Sequence, residues 1–246
     1  MYQPSEFDGL DELLYVYLSS SLDNGVDVKD GKIQSSDNTQ ELVKRSLKGF
    51  YNSNQYRKSI ALYLSNVTNL GKERESLYLK QSMSVGGVTE SQKRVIAEHL
   101  SYLNESGLNE RFNQPLRKLI YQAIGQGKSL TQLKETLKSY TIDPKVKTYF
   151  NQIAIQGADA YVSIVDQKIT DKYFDRIKGY RMSGTIIETS SDQCIEAVDL
   201  GRELTKKEWS ELLKKYKDKI SEGTTVENLP TRKLHIGCRH SFTPYI

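Results

Sequence analysis

Apolar residues recur every three or four positions through the first two-thirds of the chain, a spacing that predicts successive amphipathic helices. The first helix is expected over residues 6–22, with an apolar face made by Phe7, Leu10, Leu14, Tyr17 and Leu18. The polar stretch at residues 23–38, which contains Gly and Asp, is typical of a loop or a small hairpin. Further helices are expected around residues 42–50 and 56–64, and a short one near Leu77.

Helix starts are marked by capping patterns, in which a Ser or Thr is followed three residues later by a Gln or Glu. The patterns occur at Thr89 and Gln92, at Ser129 and Gln132, and at Thr205 and Glu208. A further start is expected at Asp143 and Pro144, because proline suits the first turn of a helix. The Gly and Ala residues of the long helix that should follow would let another helix approach closely.

The pattern changes near residue 178. Residues 179–189 alternate in part and are rich in β-forming side chains, so they predict a strand, and the helix that comes later should extend to Ile220. We therefore expect an α+β fold that is predominantly α-helical. A helical N-terminal region would cover residues 1–143, and a small C-terminal module with a short antiparallel sheet would cover residues 144–246.

Composition narrows the functional classes. The chain has 246 residues, of which 37% are hydrophobic and 27% charged, and no apolar run is long enough to span a bilayer. The acidic, amphipathic N-terminus does not resemble a secretory signal, so we expect the protein in a cytoplasm or in a particle assembled there. A net charge of +4 is weak for a protein that coats DNA. The 16 tyrosines against six phenylalanines are unusual, and tyrosine is enriched at protein interfaces.

Lysines dominate the outer face of the helix that starts at Thr205. A solvated face is the ordinary interpretation of such a run, and contact with phosphates or an acidic partner is the alternative. The candidate nucleic-acid-binding residues are Lys206, Lys207, Lys214, Lys215 and Lys217.

Both cysteines and two of the three histidines lie after residue 190, at Cys194, His235, Cys238 and His240. Two thiolates and two imidazoles are the four ligands that a structural, tetrahedral zinc prefers. Cys238 and His240 are so close in sequence that both can point inward only if Gly237 and Arg239 supply an irregular backbone. Such a site would fasten the last strand to the strand near Ile187.

Two other interpretations of this cluster stay open. Cys194 and Cys238 could be buried neighbours on a strand pair, reduced and without a metal, because free Cys is among the most buried residue types. Alternatively, a thiolate paired with a histidine could act as a nucleophile. That chemistry needs an orienting base in a cleft, which two residues so close in sequence rarely provide.

The C-terminal region, roughly residues 145–246, resembles the head-morphogenesis (minor head protein) family of Mu-like and related tailed phages. The resemblance rests on an aromatic residue and a glycine in a strand, a turn leading to a cysteine, a following glycine, and a closing His-x-x-Cys-Arg-His before a proline. The matching residues are Tyr180, Gly184, Thr189, Asp192, Cys194, Gly201, His235, Cys238, Arg239, His240 and Pro244. Many members carry a second cysteine where this chain has Ala197, a departure that argues against a Cys-x-x-Cys zinc knuckle.

This resemblance implies a virion protein of low copy number that acts in the phage head during assembly in the host cytoplasm. The implied partners are the portal protein, the major capsid or scaffold protein and, through the lysines, genomic DNA, with no membrane. The sequence contains no phosphate-binding glycine loop, nucleophile elbow or His-Glu-x-x-His motif, so we expect a binding protein that is not an enzyme. The alternative is a zinc-dependent nucleic-acid-binding protein or nuclease, for which Asp192, Glu196 and Asp199 are candidate acidic residues.

Overall fold

The computed structural model describes residues 2–35, 38–84, 86, 89–142, 144–184, 186–188, 190–235, 238 and 240–246. The chain is predominantly α-helical with two small antiparallel sheets, which confirms the predicted fold class. No helix among these residues is long and apolar enough to cross a membrane.

The helices are α1 (Leu10–Gly25), α2 (Asn38–Asn52), α3 (Asn54–Leu79), α4 (Glu90–Tyr102), α5 (Glu105–Leu108), α6 (Gln114–Gly125), α7 (Leu130–Ile142), α8 (Pro144–Tyr173), α9 (Asp192–Asp199), α10 (Lys206–Lys215) and α11 (Leu229–Arg232). The strands are β1 (Val28–Lys29), β2 (Lys32–Ile33), β3 (Gly179–Ser183), β4 (Glu203–Thr205) and β5 (Ser241–Tyr245). A π-helical turn at Asn109–Asn113 joins α5 to α6.

The predicted helix starts are confirmed. The backbone N–H groups of Thr89 and Ser129 each donate to the side-chain oxygen of the glutamine three residues later, at 2.9 Å. Thr205 and Glu208 form a full capping box at the start of α10. Helix α8 begins at Pro144 as expected, and Asp143 lies outside the described residues.

The first region differs from expectation at two points. Helix α1 begins at Leu10, later than predicted, because Gly9 before it adopts a left-handed conformation with φ of 78°. The helices expected at residues 56–64 and near Leu77 are one helix of 26 residues, α3, since nothing between them ends it. The expected hairpin is confirmed as the pair of β1 and β2.

The chain forms two compact units, whose boundaries fall within α3, α4 and α8. The helical unit comprises Gln3–Ser65 and Ala97–Ile155, and the sheet unit comprises Tyr2 with Asn66–Ile96 and Gln156–Ile246. This division differs from the boundary expected at residue 143, because the end of α3 and the segment after it contribute buried side chains to the core of the sheet unit.

Aromatic side chains fill the core of the helical unit. The ring of Phe150 on α8 lies 5.7 Å from Phe7, 6.2 Å from Phe50 and 6.1 Å from Tyr56, measured between ring centroids. All four side chains are at most 1% exposed. Their burial accounts for the apolar faces that the sequence pattern predicts.

The sheet unit contains a three-stranded antiparallel sheet in the order β4-β3-β5. Tyr180 on the central strand faces Leu204 of β4 and Pro244 of β5. The fully buried Trp209 of α10 donates a hydrogen bond from Nε1 to the backbone oxygen of Tyr180, at 2.9 Å. Its ring packs edge-on against Phe242 of β5, so one helix and two strands share a core.

Three expectations about the elements of the sheet unit are wrong. The strand predicted over residues 179–189 ends at Ser183, because Gly184 follows with φ of 154°. Ile187 is 44% exposed and lies in no strand, so the last strand pairs with Gly179–Ser183 and not with residues near Ile187. Helix α10 ends at Lys215 and not at Ile220, since a short 3₁₀ turn follows it. Thr189 lies outside the described residues.

A buried ion pair joins three elements of the sheet unit. Arg74 of α3 donates two hydrogen bonds to the carboxylate of Asp166 on α8, at 2.7 and 2.8 Å, and contacts the hydroxyl of Thr243 on β5. Tyr78 donates a third hydrogen bond to Asp166, at 2.5 Å. Asp166 is 1% exposed, and its hydrogen bonds offset the cost of burying its charge.

Candidate metal centre

Cys194 lies in the first turn of α9, on the buried side of that helix. Its side chain is 1% exposed. The outer side of α9 is held by two ion pairs, Glu196 with Lys215 at 2.6 Å and Asp192 with Lys219 at 2.5 Å. The thiol of Cys194 lies on the other, buried side of the helix.

His235 and Cys238 lie between α11 and β5. Helix α11 ends at Arg232, and Lys233 follows it with φ of 57° and ψ of −172°, a conformation that non-glycine residues rarely adopt. The backbone N–H of Cys238 donates to the oxygen of His235 at 3.1 Å. Both side chains lie beside Cys194. Gly237 and Arg239, which were expected to supply the irregular backbone, lie outside the described residues.

Three of the four predicted ligands meet. The sulfur of Cys194 lies 3.2 Å from Nε2 of His235 and 3.8 Å from the sulfur of Cys238. All three ligand atoms lie within 4.8 Å of one another, so this cluster could hold a metal ion. Cys194 lies in a helix and not in a strand, which corrects the strand-pair interpretation, although both thiols are buried and free of any disulfide.

The fourth predicted ligand, His240, lies beside the cluster. It is 4% exposed, and its Nδ1 is 3.6 Å from the sulfur of Cys238. It is not part of the three-residue group, and its Nε2 is buried without a hydrogen-bond partner among the described residues. Gly184 packs against the imidazole: a Cβ at that position would come within 2.5 Å of Cδ2 of His240.

The two thiols are close enough to hydrogen-bond to each other. The hydrogen bond between them raises the pKa of Cys194, as does burial. The same hydrogen bond lowers the pKa of Cys238, and contacts with His240 lower it further. The pair therefore favours one thiol and one thiolate, and a bound cation would displace the remaining proton.

Sequence reasoning missed one side chain at this site. The hydroxyl of Ser191 lies 3.0 Å from Nε2 of His235, on the same ring nitrogen that faces Cys194. Ser191 is the N-cap residue of α9, and its position three residues before Cys194 was the available signal. It would orient the imidazole in the absence of a metal.

The five candidate lysines do not form one surface. Lys206 contacts the backbone oxygen of Phe174 and covers that ring at 3.8 Å, while Lys215 pairs with Glu196. Lys207, Lys214 and Lys217 are exposed. Spacings of seven and three residues put these three on one side of the helix and the turn after it.

The candidate nuclease carboxylates are engaged elsewhere or exposed. Asp192 and Glu196 make the ion pairs on the outer side of α9, and the pKa of each is lowered by its lysine. Asp199 is exposed at the end of the helix. Asp192 and Glu196 therefore pair with lysines on the outer side of α9, and none of the three carboxylates joins the thiol cluster.

No protein-family model matches the chain, and no curated protein or solved structure is significantly similar to it. The candidate metal centre is therefore supported by its own geometry alone.

Proposed function

We propose that this chain is a minor head protein of a tailed phage, which acts in head assembly by binding other head components. The main support is that residues through which its sequence resembles that family meet in the sheet unit. Tyr180 and Pro244 face each other across β3 and β5, and Gly184 lies against His240. His240 in turn contacts Cys238, which lies beside Cys194.

Zinc fits the ligands of the candidate metal centre. Tetrahedral zinc, with bonds of about 2.3 Å to sulfur and about 2.0 Å to nitrogen, separates two sulfurs by about 3.8 Å and a sulfur from a nitrogen by about 3.5 Å. The distances of 3.8 Å between Cys194 and Cys238 and of 3.6 Å between Cys238 and His240 agree. The 3.2 Å between Cys194 and His235 would lengthen slightly.

The zinc would be structural. Cys194, His235 and Cys238 supply three ligands, and His240 beside them would shift toward the ion to supply the fourth and close the site to a substrate. They connect α9, the turn after α11 and the start of β5. A metal there supplies folding free energy to a sheet whose strands have only three to five residues. We infer that the chain acts by binding and not by catalysis.

The proposed partners are the portal protein and the major capsid or scaffold protein, within the head of the virion. Contact with genomic DNA would use Lys207, Lys214 and Lys217, the three exposed lysines on one side of α10 and the turn after it. Since Lys206 and Lys215 make contacts within the chain, they are left out of this proposal.

The test is co-purification of the tagged chain with portal and major capsid proteins of the same phage, with metal content measured on the same sample. We expect portal or capsid protein to be retained and one zinc per chain. His235→Gln should lose the zinc, whereas His99→Gln, which changes the histidine outside the site, should keep it. Absence of both partners, together with zinc-dependent cleavage of DNA, would overturn the proposal in favour of a nuclease.

A further inference from the structure

Three tyrosines and two cations from separate helices meet on the helical unit. This tyrosine cluster consists of Tyr102 at the end of α4, Arg111 in the π-helical turn, Tyr140 on α7, and Lys145 and Tyr149 on α8. The sequence separates its first and last members by 47 residues. No periodic pattern along the chain marks these residues as a group.

Tyr149 lies at the centre of the tyrosine cluster. Its hydroxyl donates a hydrogen bond to the backbone oxygen of Tyr102 at 2.7 Å, and its ring packs edge-on against the buried Phe112. The guanidinium of Arg111 lies over the same ring, 5.9 Å from its centroid. These contacts fix the ring of Tyr149 before any partner arrives, so little side-chain entropy would be lost on binding.

The remaining members extend the surface from this centre. Arg111 is close enough to Tyr140 to lower the pKa of that hydroxyl, against the larger effect of burial, which raises it. Lys145 lies over the ring of Tyr140 at 5.7 Å. Tyr102 is 49% exposed, and Arg111 and Lys145 are also exposed, so the cluster combines open aromatic area with positive charge.

The π-helical turn gives the cluster its geometry. An extra residue in the turn at Asn109–Asn113 shifts the helix register. Phe112 is thereby buried against Tyr149 while Arg111 lies over the outer side of that ring. Such turns often occur at functional sites.

We propose that the tyrosine cluster binds a protein surface that presents carboxylates. Tyrosine and arginine are the residues most enriched at the energetic centres of protein interfaces. A guanidinium binds a carboxylate through two parallel hydrogen bonds. Burial raises the pKa of Tyr149 to about 12, and Tyr140 shifts in the same direction, so both hydroxyls stay protonated near neutral pH.

The charge of the cluster favours a protein over nucleic acid. Nucleic acid is normally held by a row of cations that follows its phosphates. Here Arg111 and Lys145 are accompanied by Glu110, which lies close enough to Tyr149 to raise its pKa. One exposed guanidinium and one lysine among tyrosines suit a few carboxylates better than a long chain of phosphates.

The partner's identity rests on the proposed function, so the test uses the portal and major capsid proteins as probes. Their affinity for the purified chain is measured by biolayer interferometry, alongside their affinity for the variants Tyr102→Ala and Arg111→Glu. Each variant should weaken binding by about tenfold or more, as expected at an interface centre. Arg111→Gln should have a smaller effect than Arg111→Glu, because it removes charge without reversing it.

Tyr121→Ala is the matched control. Tyr121 is 38% exposed and lies beside Arg117 at 6.0 Å, a tyrosine and arginine pair of the same unit outside the cluster. It should change the affinity by less than about twofold, as typical of residues outside the interface centre. Unchanged circular dichroism of each variant excludes unfolding as the cause of lost binding.

The outcomes separate the two proposals. If the wild-type chain binds a head protein and the cluster variants bind it equally well, the cluster is not the interface, although the proposed function stands. If the wild-type chain binds neither head protein, the proposed function fails and this assignment fails with it. If the variants lose affinity only for a single-stranded oligothymidylate, the cluster binds nucleic acid and the proposal is overturned.

Discussion

In the helical unit, Phe150 is surrounded by aromatic rings from several helices. The polar side chains buried in the same unit include Glu6, Ser46 and Thr141. In the sheet unit the buried polar groups contact one another: Asp166 is paired with Arg74, and the two thiols and His240 form a chain of contacts. Apolar packing tolerates changes that preserve volume, whereas a buried polar group depends on each of its partners. The sheet unit should therefore be more sensitive to the loss of a single ligand or proton.

Metal removal should produce the largest difference between the units. A chelator should destabilise the sheet unit by about 4 kcal/mol if free zinc had stood about a thousandfold above its dissociation constant. Trp209 is the only tryptophan and lies in the sheet unit, so its fluorescence follows that unit during thermal unfolding. An identical Trp209 transition with and without chelator would show that the sheet unit does not depend on a metal.

Phe150→Ala perturbs the helical unit and leaves the sheet unit unchanged in sequence. Losing a buried ring should lower the free energy of unfolding by about 3–4 kcal/mol, measured by denaturant titration of the circular dichroism signal. The zinc content of the folded variant should stay unchanged, because Phe150 belongs to the other unit. Tyr15→Ala, at a half-buried tyrosine of α1, is a milder control in the same unit. Loss of zinc from the folded Phe150 variant would contradict the prediction that the metal centre is independent of the core of the helical unit.

Gly71→Ala tests close packing inside the sheet unit. A Cβ at residue 71 would come within 2.3 Å of Cε1 of Tyr161, so α3 and α8 would have to move apart locally. We expect a loss of about 1–3 kcal/mol in a thermal or denaturant titration. Gly71→Ala combined with Tyr161→Leu should recover part of that loss, since the smaller side chain leaves room for the methyl group. No recovery would point to a cause other than this contact.

Protonation of Glu208 at low pH should have the smallest effect on stability. The hydrogen bond from Arg202 and those from Thr205 lower the pKa of Glu208 from 4.5 to about 2. Because the folded-state pKa is the lower one, this carboxylate stabilises the fold above about pH 4.5, and that contribution is lost as the pH falls toward 2. In chelator, stability should decline less over this range in Glu208→Gln than in the wild type. Equal declines would show that the carboxylate of Glu208 does not contribute to the pH dependence of stability.

The parts predicted from sequence are those with local causes. The capping boxes at Thr89, Ser129 and Thr205 depend on residues three positions apart, and each is present. The cysteines and histidines could be recognised in the sequence as candidate metal ligands because these residue types are rare in this chain. Three of the four then proved to be close together.

The parts that could not be predicted depend on contacts between distant segments. The length of β3 is set by Gly184. The pairing of β5 with β3 depends on tertiary contacts between segments far apart in the sequence. The tyrosine cluster joins residues of common types from separate helices, so it has no signal in sequence. The same holds for the ion pair of Arg74 and Asp166, whose members are 92 positions apart.

The central claim is that Cys194, His235 and Cys238, together with His240, hold a metal that stabilises the sheet unit. The most direct test is the zinc content of the reduced, purified chain by elemental mass spectrometry, compared with Cys238→Ser and His240→Gln. We expect one zinc per wild-type chain, almost none in Cys238→Ser, and a weaker, chelator-labile zinc in His240→Gln. A folded wild-type chain that binds no zinc when zinc is supplied would contradict the claim.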